Sequence, residues 1–322
     1  MKILLFAVHP STFVLRDIKI LQAKYDVTFC KISEYNLFEI TRLIKSHDLV
    51  FFWFASLHFF LPSLIAKIFG KKIITIAGGY DVAKVESGSM GTMWKSVVVN
   101  VILNLSSKIL AVSLSNKNEI ISNCKIDVSK IEMVYHGFED QKAIDFSKKR
   151  DIILTISFTD RLSFTRKGID RFFKLAKIMD EYDFHLVGKI SQDMRIVEKP
   201  ANLTLHGHLD LKDNRFINLL ESAKIYVQFS KHESFGCSLA EAMQFGCIPI
   251  VSNSYSLPEV VGNCGLIITD FEDFDSISIK VKEIIKNYNY NMAIECINRV
   301  KEQFSYELRA RNLYRIIESC IA

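Results

Sequence analysis

Apolar positions along this chain follow two alternating rhythms. Short runs rich in Ile, Val, Leu and Phe, at 2–8, 27–31, 49–54, 72–77 and 109–112, predict buried β-strands. Between them, at 13–24, 37–46, 62–69 and 92–106, apolar residues return every three or four positions, the spacing of amphipathic helices, and 116–123 adds a shorter one. A charged, weakly apolar stretch, EDQKAIDFSKKR at 139–150, interrupts the pattern. It then restarts, with strands expected at 152–157, 184–187, 203–206, 225–229, 248–251 and 266–268. Helices are expected at 168–180, 211–222, 235–245, 274–287, 292–302 and 306–321.

Two successive blocks of alternating strand and helix imply an α/β fold of two Rossmann-like, doubly wound parallel-sheet domains facing across a cleft. The expected boundaries are 1–140 for the first domain, 141–150 for a linker and 151–303 for the second, with a closing helical segment at 304–322. A length of 322 residues agrees, because single cores rarely grow so large. No internal repeat is evident.

Residues 49–69, LVFFWFASLHFFLPSLIAKIF, are long enough to span a bilayer. His58, Pro62 and Lys67 interrupt them, so a strand, a loop and an amphipathic helix are expected instead. The apolar start, MKILLFAVHPSTF, lacks a small-x-small cleavage site and is expected to be the first strand rather than a signal peptide. Composition is that of a globular chain, 49% apolar and 24% charged. The net charge of +5 is mildly basic, suited to a phosphate-bearing ligand or an anionic membrane and too weak for nucleic acid. Seven scattered cysteines without a Cys-x-x-Cys pair argue against a disulfide framework or zinc, and for a cytoplasmic location.

The chemistry concentrates in 231–265, KHESFGCSLAEAMQFGCIPIVSNSYSLPEVVGNCG. A strand leads through a polar loop into a helix expected to start near Phe235, with Ser234 as its cap. Gly236 lets a ligand approach the backbone, and the N–H groups of the first turn suit a diphosphate or a sugar hydroxyl. Glu233 and Glu241 bracket the helix start, with Glu241 about two turns from the helix's own beginning, and each can hold a different polyol part of one ligand. Taken singly, both are ordinary helix-flanking acids. A second segment, TISFTDRLSFTRKG at 155–168, places Arg161 and Lys167 after a strand, where cations neutralise charge on a departing diphosphate.

His-Glu-Ser-Phe-Gly, Glu-Ala-Met, Gly246, Pro249 and the later Pro-Glu-Val-Val together resemble the signature of glycosyltransferase family 4. Its two glutamates with seven residues between match Glu233 and Glu241. The resemblance implies the GT-B fold and retaining transfer from a nucleotide diphospho-sugar. It extends strongly over 151–268 and loosely before that, and implies that the last helix returns to the first domain. It implies catalytic roles for Arg161, Lys167 and Glu233. It also implies donor contacts from Ser234, Phe235, Gly236, Cys237, Ser238 and Glu241, from Gly188, and from His208 and Leu209 beside the base.

The first domain departs from the family. Where many members carry a histidine, this chain reads Ala77-Gly78-Gly79-Tyr80-Asp81. Asp81 either orients the sugar or acceptor or belongs to an ordinary tight turn. The first loop, with His9, Ser11 and Thr12, lacks the family's paired glycines and, with Gly78, Gly79 and Tyr80, is expected on the acceptor side. Asp273-Phe274-Asp275 matches a metal-diphosphate pattern, but Asp273 is better explained as a helix cap, so no metal or other cofactor is expected. The acceptor is expected to be a glycan or lipid-linked glycan of cell-surface polysaccharide synthesis. Peripheral membrane contact would run through Phe59, Phe60, Leu61, Leu64, Ile65 and Phe69 with Lys67, Lys71 and Lys72, unless these are core. Two rivals stand beside this reading, a nucleotide-sugar 2-epimerase of the same fold and a non-catalytic subunit of a polysaccharide assembly complex.

Overall fold

The computed structural model describes residues 1–85, 88–141, 144–191, 198–210 and 213–321. Residues 142 and 143 of the expected linker, and the first two of the helix expected from 211, lie outside them. The chain divides into two units, Met1–Gly137 with Phe304–Ala322, and Phe138–Gln303.

The first unit runs β1 (Lys2–Ala7), α1 (Thr12–Gln22), β2 (Asp26–Lys31), α2 (Leu37–Ser46), β3 (Leu49–Trp53), α3 (Phe60–Ile68), β4 (Lys72–Ala77), α4 (Met93–Leu105), β5 (Lys108–Ala111), α5 (Leu114–Asn123) and β6 (Ile131–Met133). Its six strands lie in the order β2-β1-β3-β4-β5-β6, every pair parallel. Helices cover such a sheet on both faces, so its central strands carry unbroken apolar runs, and LVFFW of β3 is wholly buried. The doubtful stretch 49–69 thus resolves into β3, a tight turn and α3. No helix of the described residues is long and apolar enough to cross a membrane.

Local chemistry sets several boundaries. Asn36 and Glu39 form a reciprocal capping box at the start of α2, and Ser113 caps α5. The chain leaves β1 outward to β2 and returns to β3 on its other side, so the strand order reverses between β1 and β3. The crossovers β2-α2-β3, β3-α3-β4 and β4-α4-β5 then advance in one direction, which lays α2, α3 and α4 side by side on one face. The C-terminal helix, Tyr306–Ile321, packs on α1.

The second unit runs β7 (Arg150–Ile156), α6 (Arg161–Arg166), α7 (Ile169–Ile178), β8 (Asp183–Val187), β9 (Leu203–Leu205), α8 (Asn214–Ser222), β10 (Ala223–Gln228), α9 (Cys237–Gln244), β11 (Ile248–Ser252), α10 (Leu257–Val261), β12 (Leu266–Ile268), α11 (Phe274–Asn287) and α12 (Tyr290–Gln303). Its parallel sheet has the order β12-β11-β10-β7-β8-β9, reversing between β7 and β10. The polar stretch before β7 packs on this unit. Gln244 donates to the Glu139 carbonyl at 2.8 Å, and the rings of Phe146 and Tyr290 meet edge to face. The Lys149 ammonium is buried, donating to the Ala223 carbonyl at 2.6 Å.

Three local expectations change. The loop expected around Arg161 contains α6, capped by Asp160 and Ser163 in a reciprocal box. The helix expected from Phe235 starts at Cys237, with Gly236 at its cap position and no side-chain cap, so Ser234 does not cap it. Residues 257–261 form α10, too short for apolar periodicity to register.

Candidate functional site

Ligands of doubly wound sheets lie beyond the strand C-termini, where the strand order reverses. In the second unit that point lies between β7 and β10. The loops leaving these strands hold Arg161, Lys167 and Glu233. Arg161 is the first residue of α6 and is exposed. The chain passes from α6 to α7 through Lys167 and Gly168, whose φ of +69° is left-handed. A Cβ on Gly168 would stand 2.1 Å from the Phe229 carbonyl oxygen, so only glycine lets this turn press against the exit of β10. Lys231 N–H donates to the Arg166 carbonyl at 2.7 Å, closing the two loops together.

This closure joins Lys167 to Glu233 in an ion pair with side chains only 27% and 14% exposed. Gln228, the last residue of β10, donates to the same Glu233 Oε1 at 2.9 Å, and Ser230 Oγ adds a longer contact at 3.4 Å. The Glu233 backbone is held as well, its carbonyl accepting from Ser256 Oγ at 2.9 Å. Oε1 is therefore saturated, while among the described residues no hydrogen bond reaches Oε2. Behind this group, Tyr226 OH donates to Ser238 Oγ at 2.8 Å and lies 3.3 Å from Gln228 Oε1. Burial pushes the Tyr226 hydroxyl well above its ordinary range, so it stays a neutral donor.

The helix carrying Glu241 begins at Cys237, so Glu241 stands about one turn in, not two. Gly236 is left-handed at φ +96° and sets the N-terminus of α9 beside Glu233. Ser234 and Phe235 are buried, and the Phe235 ring stacks on Phe138, which leaves its backbone rather than its side chain to a ligand. Cys237 and Ser238 are half-buried at the first turn. Gly188 ends β8, and a Cβ there would fall 1.9 Å from the Ser157 carbonyl oxygen. That glycine is required by close packing of the strand ends. His208 is exposed and Leu209 buried. Asp273 caps α11, accepting from Ser276 N–H at 2.9 Å.

In the first unit the corresponding edge carries the ends of β1, β3 and β4. His9 and Thr12 are exposed there, and Ser11 precedes α1 without a side-chain cap bond. Gly78 and Gly79 are half-buried and Tyr80 is exposed. Asp81 is buried instead, and its Oδ2 accepts from Ala55 N–H at 3.0 Å, tying the loop after β4 to the exit of β3. Its Oδ1 is buried with no partner among the described residues. Burial raises the carboxyl to about 6, only partly opposed by the Ala55 N–H. Phe54, between β3 and Ala55, sits at φ +58°, a strained position for a phenylalanine.

Residues 138–303, 166 of the chain's 322, match the family described as glycosyl transferases group 1. The chain belongs to that family. Among relatives of this group 1 member, O-antigen chain mannosyltransferase B of Escherichia coli is 32% identical over 103 residues, 31% of this chain and 27% of that protein. An uncharacterized 41.2 kDa protein in the cps region of Klebsiella pneumoniae is 26% identical over 206 residues, 59% of this chain and 55% of that protein. The chain thus spans little more than half of either relative at most. The crystal structure of Anabaena HepE in complex with UDP and glucose superposes with a TM-score of 0.80 at 14% identity, covering 99% of this chain and 100% of that one. The shared fold is GT-B.

Sequence reasoning had missed Gln228, Ser230, Ser256 and Phe54. For Gln228 a signal was present, a polar residue directly after the apolar run IYV of β10. Nothing in the sequence marks Ser256 or Phe54, because a bond across 23 positions and a backbone angle belong to the folded chain.

Proposed function

We propose that this protein is a retaining glycosyltransferase of family 4 that moves a sugar from a nucleotide diphospho-sugar to a hydroxyl of a glycan or lipid-linked acceptor. The observation that carries the reading is the Lys167–Glu233 pair at the reversal point of the second sheet, with one carboxylate oxygen saturated and the other open. In this reading Glu233 Oε2 accepts from hydroxyls of the donor sugar. Lys167 and Arg161 take up negative charge as the bond between the anomeric carbon and the diphosphate oxygen breaks. The N-terminal end of α9 adds its partial positive charge. A bond forms between the anomeric carbon and the acceptor oxygen, and the acceptor proton passes to the departing phosphate. Glu241 holds the ribose. No metal is needed, since cations and helix N–H groups face the phosphates. The UDP and glucose bound by Anabaena HepE support a nucleoside diphosphate as leaving group. The mannosyltransferase and cps-region relatives support a place in polysaccharide synthesis. Acceptor contacts come from His9, Ser11, Thr12 and Tyr80, with Asp81 positioning the loops rather than touching substrate.

The test is a thermal-shift screen against UDP, GDP, ADP and their sugar conjugates, repeated on Glu241→Ala. One nucleotide is expected to raise the melting temperature by mass action, and the substitution is expected to abolish that rise. A screen in which no nucleotide or conjugate shifts the protein would overturn the donor assignment.

A further inference from the structure

Six large apolar side chains stand exposed on two neighbouring elements of the first unit. On α3 and the residue after it, Leu61 is 51%, Ile68 77% and Phe69 39% exposed, and on α4 Met93 is 86%, Trp94 59% and Val97 57%. Helix geometry groups them. Leu61 and Ile68 are seven apart and share one face of α3, and Met93 and Val97 are four apart and share one face of α4. The two helices lie side by side in the fold. Core demand does not explain these residues, because the inner faces of both helices are already filled by Ala66, Val99, Ile102 and Leu103.

The charge carried by this part of the chain is predominantly positive. Between positions 49 and 118 the only acids are Asp81 and Glu86, against seven lysines. Asp81 is buried and so does not contribute to this surface. Lys67 is exposed next to Ile68, Lys45 of α2 is exposed and lies over the Phe69 ring at 4.7 Å, and Lys95 lies over the Trp94 ring at 5.8 Å. Lysines whose stems run along apolar surface while their heads stay in water, beside an exposed tryptophan, suit the headgroup boundary of a bilayer.

We propose that the α3–α4 face of the first unit docks on an anionic lipid bilayer. A second copy of the chain is disfavoured by the same charges, since two such faces would bring lysines against lysines. The structure also corrects which residues make this contact. Phe59 is fully buried, and Phe60, Leu64 and Ile65 are only partly exposed. The weight falls instead on α4, whose apolar face the sequence pattern did not single out. Docking here holds this face at the membrane surface, within reach of a lipid-linked acceptor.

The full chain carries its own reporter. Of its two tryptophans, Trp53 is 1% exposed, so a change in emission on binding comes from Trp94. With mixed phosphatidylglycerol–phosphatidylcholine vesicles at low salt, co-sedimentation and a blue shift are expected, both reversed by added salt. Vesicles of phosphatidylcholine alone are expected to bind far less. Met93→Ser with Val97→Ser should weaken partitioning by about tenfold or more. Lys45→Gln, Lys67→Gln and Lys95→Gln together should weaken it by about a hundredfold. All five positions lie outside the second unit, so an unchanged circular dichroism spectrum and melting transition show that the variants are folded, and a retained nucleotide-induced shift keeps this test separate from that of the donor site. No sedimentation and no blue shift with anionic vesicles would sink the proposal. So would a dimer in analytical ultracentrifugation that Met93→Ser with Val97→Ser dissolves while vesicles are ignored.

Discussion

Asp81 shows how far a single residue's role depends on its surroundings. In the sequence it stands where a catalytic group is expected, yet it is buried and its Oδ2 accepts from the Ala55 amide. Its carboxyl is raised from 3.8 to about 6 by burial. The folded chain therefore keeps this proton at pH values where the unfolded chain has released it. Stability contributed by the group is present at low pH, falls as pH rises from about 4 to about 6, and is level above that. Asp81→Asn keeps an acceptor for Ala55 and does not titrate, so it should flatten this limb, a difference of about 3 kcal/mol across the window. Urea unfolding of both proteins from about pH 4 to pH 7 checks this. Parallel pH profiles would show that Asp81 does not titrate there. Glu233 makes the opposite case. Its place in the loop after β10 was legible from the motif, but the saturation of one oxygen by Lys167, Gln228 and Ser230 was not, because those partners come from separate strand ends.

Among the elements, the C-terminal helix is the most consequential, since it follows the second unit in sequence and packs within the first. Arg309 anchors it. Its guanidinium grips Asp17 of α1, with Nη2–H to Oδ2 at 2.7 Å, and donates to the carbonyls of Val134 and Tyr135 at 3.1 and 2.6 Å. The two side chains are 2% and 0% exposed. Arg309→Ala would leave the Asp17 carboxylate buried without its partner, a loss of about 3–5 kcal/mol. Denaturant unfolding should show that loss in the transition that reports the first unit, and an unchanged midpoint would mean that the helix is held by its apolar face alone. Amphipathic spacing made this helix predictable as an element. Its anchor was not, because Asp17 and Arg309 stand 292 positions apart.

For the whole molecule, the reversal of strand order decides where a ligand can sit in each unit. If the second unit holds the nucleotide, a bound nucleoside diphosphate should slow amide exchange in 157–168 and 228–241. Amides at 9–13 and 54–58, at the first unit's reversal point, should change little. Hydrogen-exchange mass spectrometry checks this, and protection confined to the first unit would reverse the assignment. The sequence by itself determined the α/β class, the order of nearly all strands and helices, and the segments that carry Arg161, Lys167, Glu233 and Glu241. Those features rest on periodicity and on residue types at fixed short spacings, which are local. Only the tertiary structure decided the strand order, the oxygen of Glu233 left open, the burial of Asp81 and the exposed face of α4. Each depends on which distant segments meet, and chain separation carries no local signal of that. The face of α4 shows the limit plainly. Its apolar residues read as core in the sequence, and only the filling of the interior by other side chains leaves them outside.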